Sequence, residues 1–374
     1  MTLDIVILAA GKGSRMKSDL PKVLHKIAGR SMLSHVIETS NRLAADHLHI
    51  VTGHGGDKVE AEFSQQQTLD FIVQQQQLGT GHALQQCLPY LQSDSVTLIL
   101  YGDVPLISEA TIHKLIFEGD QCCLLSMVLS DPTGYGRVIK NTSGHAVKIT
   151  EQKDASEEEQ KISEVFTGTM LVDGELLVDA LEGLENNNAA SEYYLTDIVE
   201  ILSTKGVKIN CIQANPQEVI GVNNKKELHH VESILRTMNA EKLLDQGITL
   251  TDATRVDLRG ELNAGKDCSI DVNVIIEGTV TLGENVTIKS NVILKNVSMG
   301  DNTVIEPFSH LVSATVGSNC SIGPYARLRE GSDIGNNAKI GNFVETKNTK
   351  LGEGAKANHL AYLGDADIGA NANI

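Results

Sequence analysis

Three groups of side chains in this 374-residue chain have the types and spacing that chemistry needs. The first is Ala9-Ala10-Gly11-Lys12-Gly13-Ser14-Arg15, a loop of small residues carrying two cations, with a third at Lys22 after Pro21. Glycines let backbone amides approach an anion and point at it together. The stretch can therefore cradle a triphosphate. The second group is Tyr101-Gly102-Asp103-Val104-Pro105-Leu106, which sets a carboxylate where an apolar run ends. Mg²⁺ takes one or two carboxylates and fills its shell with water and substrate phosphate. A turn or cap is the plainer role for an aspartate there taken alone. The third group comes late, in Arg327-Leu328-Arg329, Glu345-Thr346-Lys347 and Ala357–Asp365, where charged and aromatic residues interrupt aliphatic sequence. A histidine in that company, His359, can act as a general base near neutral pH.

The elements that must position these groups can be read around them. Ile5-Val6-Ile7-Leu8 is a buried strand leading into the glycine loop. Ser31 caps a helix to about Ala45, with Met32, Leu33, Val36, Ile37, Leu43 and Ala44 on one face. His47 to Thr52 is a second strand, so the opening reads as a βαβ unit with a parallel sheet. In such sheets ligands lie at the carboxyl ends of the strands, where the loop is. A short strand, Phe71–Val73, precedes Gln74-Gln75-Gln76-Gln77-Leu78-Gly79-Thr80-Gly81-His82-Ala83 and a helical stretch over 83–92. The strand Thr97–Leu100 delivers Asp103. The loop alone reads equally well as a glycine turn after any first strand. It is neither a dinucleotide fingerprint, since Met16 takes the third glycine position, nor a Walker loop.

Composition narrows the classes. A formal charge of −17 argues against a general nucleic-acid binder. The six cysteines form no CxxC pair and no His/Cys metal spacing, which fits reduced, incidental thiols. The first residues run straight into a strand with no cationic region ahead of a long apolar segment, and no apolar run approaches the ~20 residues of a membrane span. A soluble, cytoplasmic protein is expected.

From Glu227 to about Asp245 the pattern is a helix with Leu228, Val231, Ile234, Leu235 and Met238 on one stripe. Beyond it aliphatic residues recur every sixth position: Ile270, Ile276, Leu282, Ile288 and Leu294, then, after an irregularity, Val316, Ile322, Leu328, Ile334 and Ile340. Glycine follows at 283, 317, 323, 335 and 341, and Leu351, Leu363, Ile368 and Ile374 are shifted by insertions. A sixfold period belongs to neither a helix nor a simple strand. It predicts a β-helix of hexapeptide repeats. A purely structural scaffold is the plain reading of that half.

The longer strings carry a resemblance. Gly-x-Gly-Ser-Arg-Met with the following Leu-Pro-Lys resembles the signature of sugar-nucleotide pyrophosphorylases, which join a nucleoside triphosphate to a sugar 1-phosphate. The resemblance implies that Leu8, Ala9, Ala10 and Gly11 hold the nucleotide and that Arg15 and Lys22 face its phosphates. Gln-Leu-Gly-Thr-Gly-His-Ala is similar to the uracil-reading segment of the uridylyltransferases among them, which adds Gln74, Gly79 and Thr80. Tyr101, Gly102 and Asp103 complete the nucleotide set. Mg²⁺ is implied at Asp103 and at Asn223, which also borders the sugar. Three further segments, 131–137, 151–154 and 191–197, resemble family segments in the same order and imply sugar contacts at Gly136, Glu151 and Thr196. One position departs. Phe166, in Val165-Phe166-Thr167-Gly168, stands where the family has an asparagine touching the N-acetyl sugar before a strand.

In the second half, Asn-Phe-Val-Glu-x-Lys and His-Leu-x-Tyr-Leu-Gly-Asp-Ala resemble the acetyltransferase half of the bifunctional family that makes UDP-N-acetylglucosamine. His359 is thereby implied as the base that deprotonates the amine of glucosamine 1-phosphate. Arg329 and Lys347 would hold the phosphate, with Tyr362 and Asn373 lining the sugar site. In that family more coils follow, carrying acetyl-CoA contacts, so a shortened chain with an incomplete, impaired acetyl-transfer site is expected. The implied architecture is a Rossmann-like α/β nucleotidyltransferase domain (1–226), a connecting helix (227–250) and a left-handed parallel β-helix (251–374). The implied substrates are UTP, N-acetylglucosamine 1-phosphate, glucosamine 1-phosphate and acetyl-CoA. A homotrimer supplying peptidoglycan and lipopolysaccharide precursor is the expected setting. A glucose-1-phosphate nucleotidyltransferase and a non-catalytic regulatory protein of the same build are the alternatives.

Overall fold

The computed structural model describes residues 2–66 and 68–374. They form two compact units, one ending at Val231 and the other beginning at Glu232. The first unit runs β1 (Thr2–Leu8), a small hairpin of β2 (Lys26–Ile27) and β3 (Arg30–Ser31), α1 (Met32–Arg42), β4 (His47–Thr52), α2 (Gly56–Glu62) and β5 (Asp70–Val73). It continues with α3 (Thr80–Gln85), β6 (Ser95–Tyr101), α4 (Glu109–Glu118), β7 (Cys122–Val128), β8 (Arg137–Lys140) and β9 (Ala146–Thr150). β10 (Glu164–Asp173), α5 (Gly174–Glu182), α6 (Asp197–Thr204) and β11 (Ile209–Gln213) complete it.

The sheet order is β11-β7-β10-β6-β1-β4-β5, with β8 and β9 paired off the side of β10. β1 lies parallel to both β4 and β6, whereas β10 is antiparallel to β6 and β7. The continuous apolar run of β1 follows from burial on both faces. Ile5 and Ile7 join one core with Leu33 and Leu98, and Val6 joins another with Ile99 and Leu177.

Three local expectations are corrected. α1 begins as expected, with the Ser31 hydroxyl accepting from the Ser34 amide, but ends at Arg42 because Ala44 turns left-handed (φ 51°). The helix expected over 83–92 is instead α3, Thr80–Gln85, followed by turns. Pro89 accounts for its early end, since it has no amide to donate and its ring clashes with the carbonyl one turn back. Val165–Gly168 does not precede a strand. It lies inside β10, whose register slips between Phe166 and Met170, around a left-handed Gly168 (φ 92°).

α7 (Lys225–Asp245) crosses the division between the units. Of the expected stripe, Val231 is fully buried but Met238 is exposed. Ala240 and Leu243 are buried instead, and Leu243 belongs to the core of the second unit with Ile248 and Val256.

The second unit is a parallel β-helix. Ile270 pairs with Ile288, Ile288 with Ile305, Ile305 with Ile322 and Ile322 with Ile340, all in parallel. A second interior column runs Ile276, Leu294, Leu311 and Leu328, and a third Leu282, Met299, Val316, Ile334 and Leu351. Each coil thus takes 17 or 18 residues. The irregularity after Leu294 is two steps that are each one residue short, Leu294 to Met299 and Leu311 to Val316, and Met299, Ile305 and Leu311 fill the interior positions that the strict period misses.

Corners need left-handed residues, and asparagine tolerates that conformation well. Asn285, Asn302, Asn319 and Asn337 stack at one corner, with Asn285 Nδ2 donating to Asn302 Oδ1 at 2.9 Å. At another corner Asn273 and Asn291 give way to Phe308, Tyr325 and Phe343, whose rings stack with centroids 4.9 and 5.3 Å apart. At Gly317 a Cβ would lie 2.7 Å from the Asn336 amide of the next coil, which explains glycine there. All six cysteines are unpaired. Among the described residues, no helix is long and apolar enough to cross a membrane.

Candidate active site

The register of the central strands sets the site. Leu8 of β1 lies opposite Tyr101 of β6, so the glycine loop and Gly102-Asp103 leave the sheet side by side at its carboxyl edge. This is the edge where open α/β sheets bind ligands. A cavity of about 550 Å³ opens there. Its lining includes Leu8, Ala9, Ala10, Gly11, Arg15, Lys22, Gln74, Gly79, Thr80, Tyr101, Asp103, Gly136, Glu151 and Asn223. Gly102 is not on the wall; it packs below, where a Cβ would meet Leu33 and Val23 at 3.2 Å. Thr196 also stands behind the wall, donating its hydroxyl hydrogen bond to Glu151 at 3.2 Å.

Asp103 and Asn223 are brought together by the backbone. The Val222 amide donates to the Asp103 carbonyl at 2.9 Å, so the segment carrying Asn223 is tied to the end of β6. Glu227 then fixes it from the other side. Its carboxylate accepts from the Asn223 amide at 2.6 Å, while Asn224 Oδ1 accepts from the Glu227 amide at 3.0 Å. That reciprocal capping at the start of α7 satisfies orphan helix donors. Lys22 Nζ contacts Asp103 Oδ2 and lies 3.3 Å from Asn223 Oδ1. A carboxylate and an amide oxygen therefore converge on one cation. That donor set fits a hard divalent ion such as Mg²⁺, which takes oxygen ligands and leaves places for water and phosphate.

The rest of the pocket is held by a clasp. The Gly81 amide donates to the Tyr193 carbonyl at 2.8 Å, and the Tyr193 amide donates to the Leu78 carbonyl at 2.8 Å. The Leu195 amide donates to Thr80 Oγ1 at 3.0 Å. Gly79 sits at φ 113°, ψ 174°, a region essentially reserved for glycine. Gln74 is almost fully buried, and its amide nitrogen is engaged by the Gly79 carbonyl and His82 Nδ1, each at 3.0 Å. It therefore braces the Gly79 loop while still lining the cavity. Burial raises the pKa of Glu151, opposed by the Thr196 hydrogen bond, and burial likewise pushes the Tyr101 hydroxyl up.

Sequence reasoning did not single out Gln77, Tyr135, Glu192 or Thr167 as wall residues, all of which line the cavity. All four lie within the motif segments; Glu227, through its hold on Asn223, had only a helix-start pattern to reveal it. Phe166 lines the cavity too, buried at 6 % exposure. Arg137 is buried beneath the Gly134–Gly136 wall, bonding the Tyr135 carbonyl and, at 2.8 Å, Gln152 Oε1. Gln152 Oε1 in turn accepts from the Gly134 amide at 3.1 Å.

In the second unit the expected residues fall on consecutive coils. Arg327 pairs in register with Glu345, and Glu345 with Tyr362; Lys347 pairs with Gly364. The Arg329 amide donates to the Thr346 carbonyl, and its guanidinium bonds Glu345 at 2.8 Å. His359 stands opposite Asn342 on the adjoining face, three residues before Tyr362. Asn373 Oδ1 accepts from Asn358 Nδ2 at 2.7 Å.

Comparison with known proteins supplies an independent view. Residues 5–146 match the MobA-like NTP transferase domain family, and residues 258–351 match the GMPPB C-terminal domain family. The bifunctional protein GlmU of Idiomarina loihiensis is 47% identical across the whole chain, which covers 82% of that protein's length. GlmU of Burkholderia multivorans is 48% identical, with 83% of its length covered. A crystal structure assigned to a glucose-1-phosphate thymidylyltransferase of Bacillus anthracis superposes on 62% of the chain and 95% of its own length. Its TM-score is 0.51 at 20% identity, which speaks for the α/β fold alone.

Proposed function

The chain belongs to the bifunctional GlmU family, a uridylyltransferase joined to an acetyltransferase, and from that premise we propose how its residues divide the two reactions. Residues 1–226 carry uridylyl transfer and residues 251–374 the acetyl-transfer surface, with 227–250 connecting them. A phosphate oxygen of N-acetylglucosamine 1-phosphate attacks the α-phosphorus of UTP. The bond from that phosphorus to the bridging oxygen breaks, and pyrophosphate leaves. The glycine loop with Leu8, Ala9, Ala10 and Gly11 cradles the nucleotide, and Gln74, Gly79 and Thr80 frame its base. Arg15 and Lys22 carry positive charge to the phosphates, where preorganised cations favour the transition state. Mg²⁺ held by Asp103 and Asn223 would add neutralisation of phosphate charge. Glu151, kept in place by Thr196, and the Gly136 backbone orient the sugar, so that positioning does most of the work.

The observation that carries this reading is the convergence of Lys22, Asp103 and Asn223 beside the glycine loop at the carboxyl edge of β1 and β6. In the second unit His359 accepts the proton of the glucosamine 1-phosphate amine as that nitrogen attacks the acetyl carbonyl of acetyl-CoA; the carbon–sulfur bond then breaks, and coenzyme A leaves as a thiolate that takes the proton back from His359. Arg329 and Lys347 hold the sugar's phosphate, and Tyr362 and Asn373 border the ring. A cytoplasmic homotrimer providing cell-envelope precursor is the setting that goes with these substrates.

Pyrophosphate release with UTP and Mg²⁺ tests the first half, with N-acetylglucosamine 1-phosphate, glucosamine 1-phosphate and glucose 1-phosphate compared as acceptors. Strong preference for the N-acetylated sugar is expected. Preference for glucose 1-phosphate would overturn the sugar assignment and point to Phe166 as its cause.

A further inference from the structure

We propose that Lys22 gates the divalent-cation site, closing it in the free protein and opening it when a nucleotide polyphosphate draws the ammonium away. The inference rests on the reading that Asp103 and Asn223 hold the metal. The Lys22 ammonium already occupies the space between those two ligands, in contact with Asp103 Oδ2 and 3.3 Å from Asn223 Oδ1. Mg²⁺ binds oxygen at about 2.0–2.1 Å, so an ion on the same two atoms would overlap the ammonium or face its charge across a few ångströms. Both cannot be satisfied at once.

The backbone of Lys22 has little freedom to relieve that conflict. It opens a single helical turn, Lys22–Leu24, after Pro21, and its neighbours Val23 and Leu24 are buried. Gly13, left-handed at φ 60°, packs so close to Lys22 Cβ that a side chain there would collide. The side chain itself is different. It is a flexible four-carbon stem ending in a compact charge with three donors, and it lies on the wall of the cavity beside Lys12 and Arg15. A triphosphate entering there offers the ammonium a stronger anionic partner than one carboxylate. Moving to it exposes Asp103 and Asn223 to the cation the nucleotide brings. Metal and nucleotide then bind with positive coupling, and by linkage each strengthens the other by the same factor.

Mn²⁺ is the probe, its free concentration followed by electron paramagnetic resonance, without nucleotide and with saturating UTP. Lys22→Met keeps the stem and removes the charge; Lys22→Arg keeps a cation. Lys22→Met is expected to bind Mn²⁺ alone at least about tenfold tighter than the parent, or ~1.4 kcal/mol, and to lose most of the UTP-induced gain. Lys22→Arg should stay weak without nucleotide. Asp103→Asn serves as the control on the site. If Lys22→Met, still folded by its thermal melt, binds Mn²⁺ no better than the parent while Asp103→Asn weakens Mn²⁺ binding with UTP, the gate is overturned and the metal site stands. If Asp103→Asn leaves Mn²⁺ binding with UTP intact, the metal site falls and the gate with it.

Discussion

Gly79→Ala offers the sharpest test of how the nucleotide pocket is held. A methyl group at this position would lie 2.9 Å from the Tyr193 amide and closer still to the Tyr193 carbonyl, inside the distance real Cβ atoms keep. Two penalties add. Holding a non-glycine residue at φ 113°, ψ 174° costs about 1–3 kcal/mol. Pushing Tyr193 away stretches the Gly81–Tyr193 and Tyr193–Leu78 hydrogen bonds, each worth about 0.5–1.5 kcal/mol net. The sum is about 2–6 kcal/mol, and its low end already corresponds to a factor of about 30. The cost should appear in UTP use, because the clasp can open locally and must be closed again around the base. Pyrophosphate release as a function of UTP should show kcat/KM falling at least about 30-fold, with a small change in Tm. Gly144→Ala is the matched control. Gly144 also has a positive φ, 85°, but nothing lies within 4 Å of its Cβ position and it is absent from the cavity wall. A Gly79→Ala enzyme whose kcat/KM for UTP matches that of Gly144→Ala would refute the clasp.

Asp103→Asn keeps the shape of the side chain but removes its charge, and pyrophosphate release at saturating Mg²⁺ should fall by about 100-fold or more; unchanged release would remove Asp103 from the mechanism. Ile322 is fully buried in the first interior column, so Ile322→Ala should cost about 2–5 kcal/mol in denaturant melts that follow the β-helix, and a loss under ~1 kcal/mol would mean the coil can collapse around the gap. His49 is buried beside Asp70, Asp4 and His47, and burial lowers its pKa below the ordinary 6.5. The unfolded chain therefore takes up the proton first, so the stability that neutral His49 supplies is present above pH 6.5 and lost as pH falls towards the lowered value. His25, His35 and His310 are shifted the same way, so His49→Gln should shrink, without abolishing, the drop in Tm between pH 7.5 and 5.5, and an identical drop would refute a role for His49.

Much of this was legible in the residues because the governing interactions are local or periodic. The run Ile5–Leu8 and the cap at Ser31 announce β1 and α1, since strand burial and capping depend on neighbours in sequence. The sixfold aliphatic period announces the β-helix, since every coil repeats one steric environment. Where the reading slipped, a non-local or single-residue effect intervened. Pro89 cut α3 short, two missing residues shifted the register between Leu294 and Val316, and Ala240 and Leu243 turned inward on α7 because the second unit packs there. The residues of the candidate site stood in motifs, but the contacts that draw them together did not. Nothing in the sequence announces that the Val222 amide would find the Asp103 carbonyl, or that Gln74 would spend its amide on Gly79.

The separation of Lys22 from Asn223, 201 positions along the chain, has a consequence in time. Coils of the β-helix touch partners only 17 or 18 positions away, so they can form soon after their residues meet, one upon another. A centre built on Lys22 and Asn223 cannot exist until the two ends of its unit have found each other, and long chain closures are slow. In refolding from denaturant, strand signal from the β-helix should therefore return before turnover does. Recovered turnover would mark the last closure of the first unit.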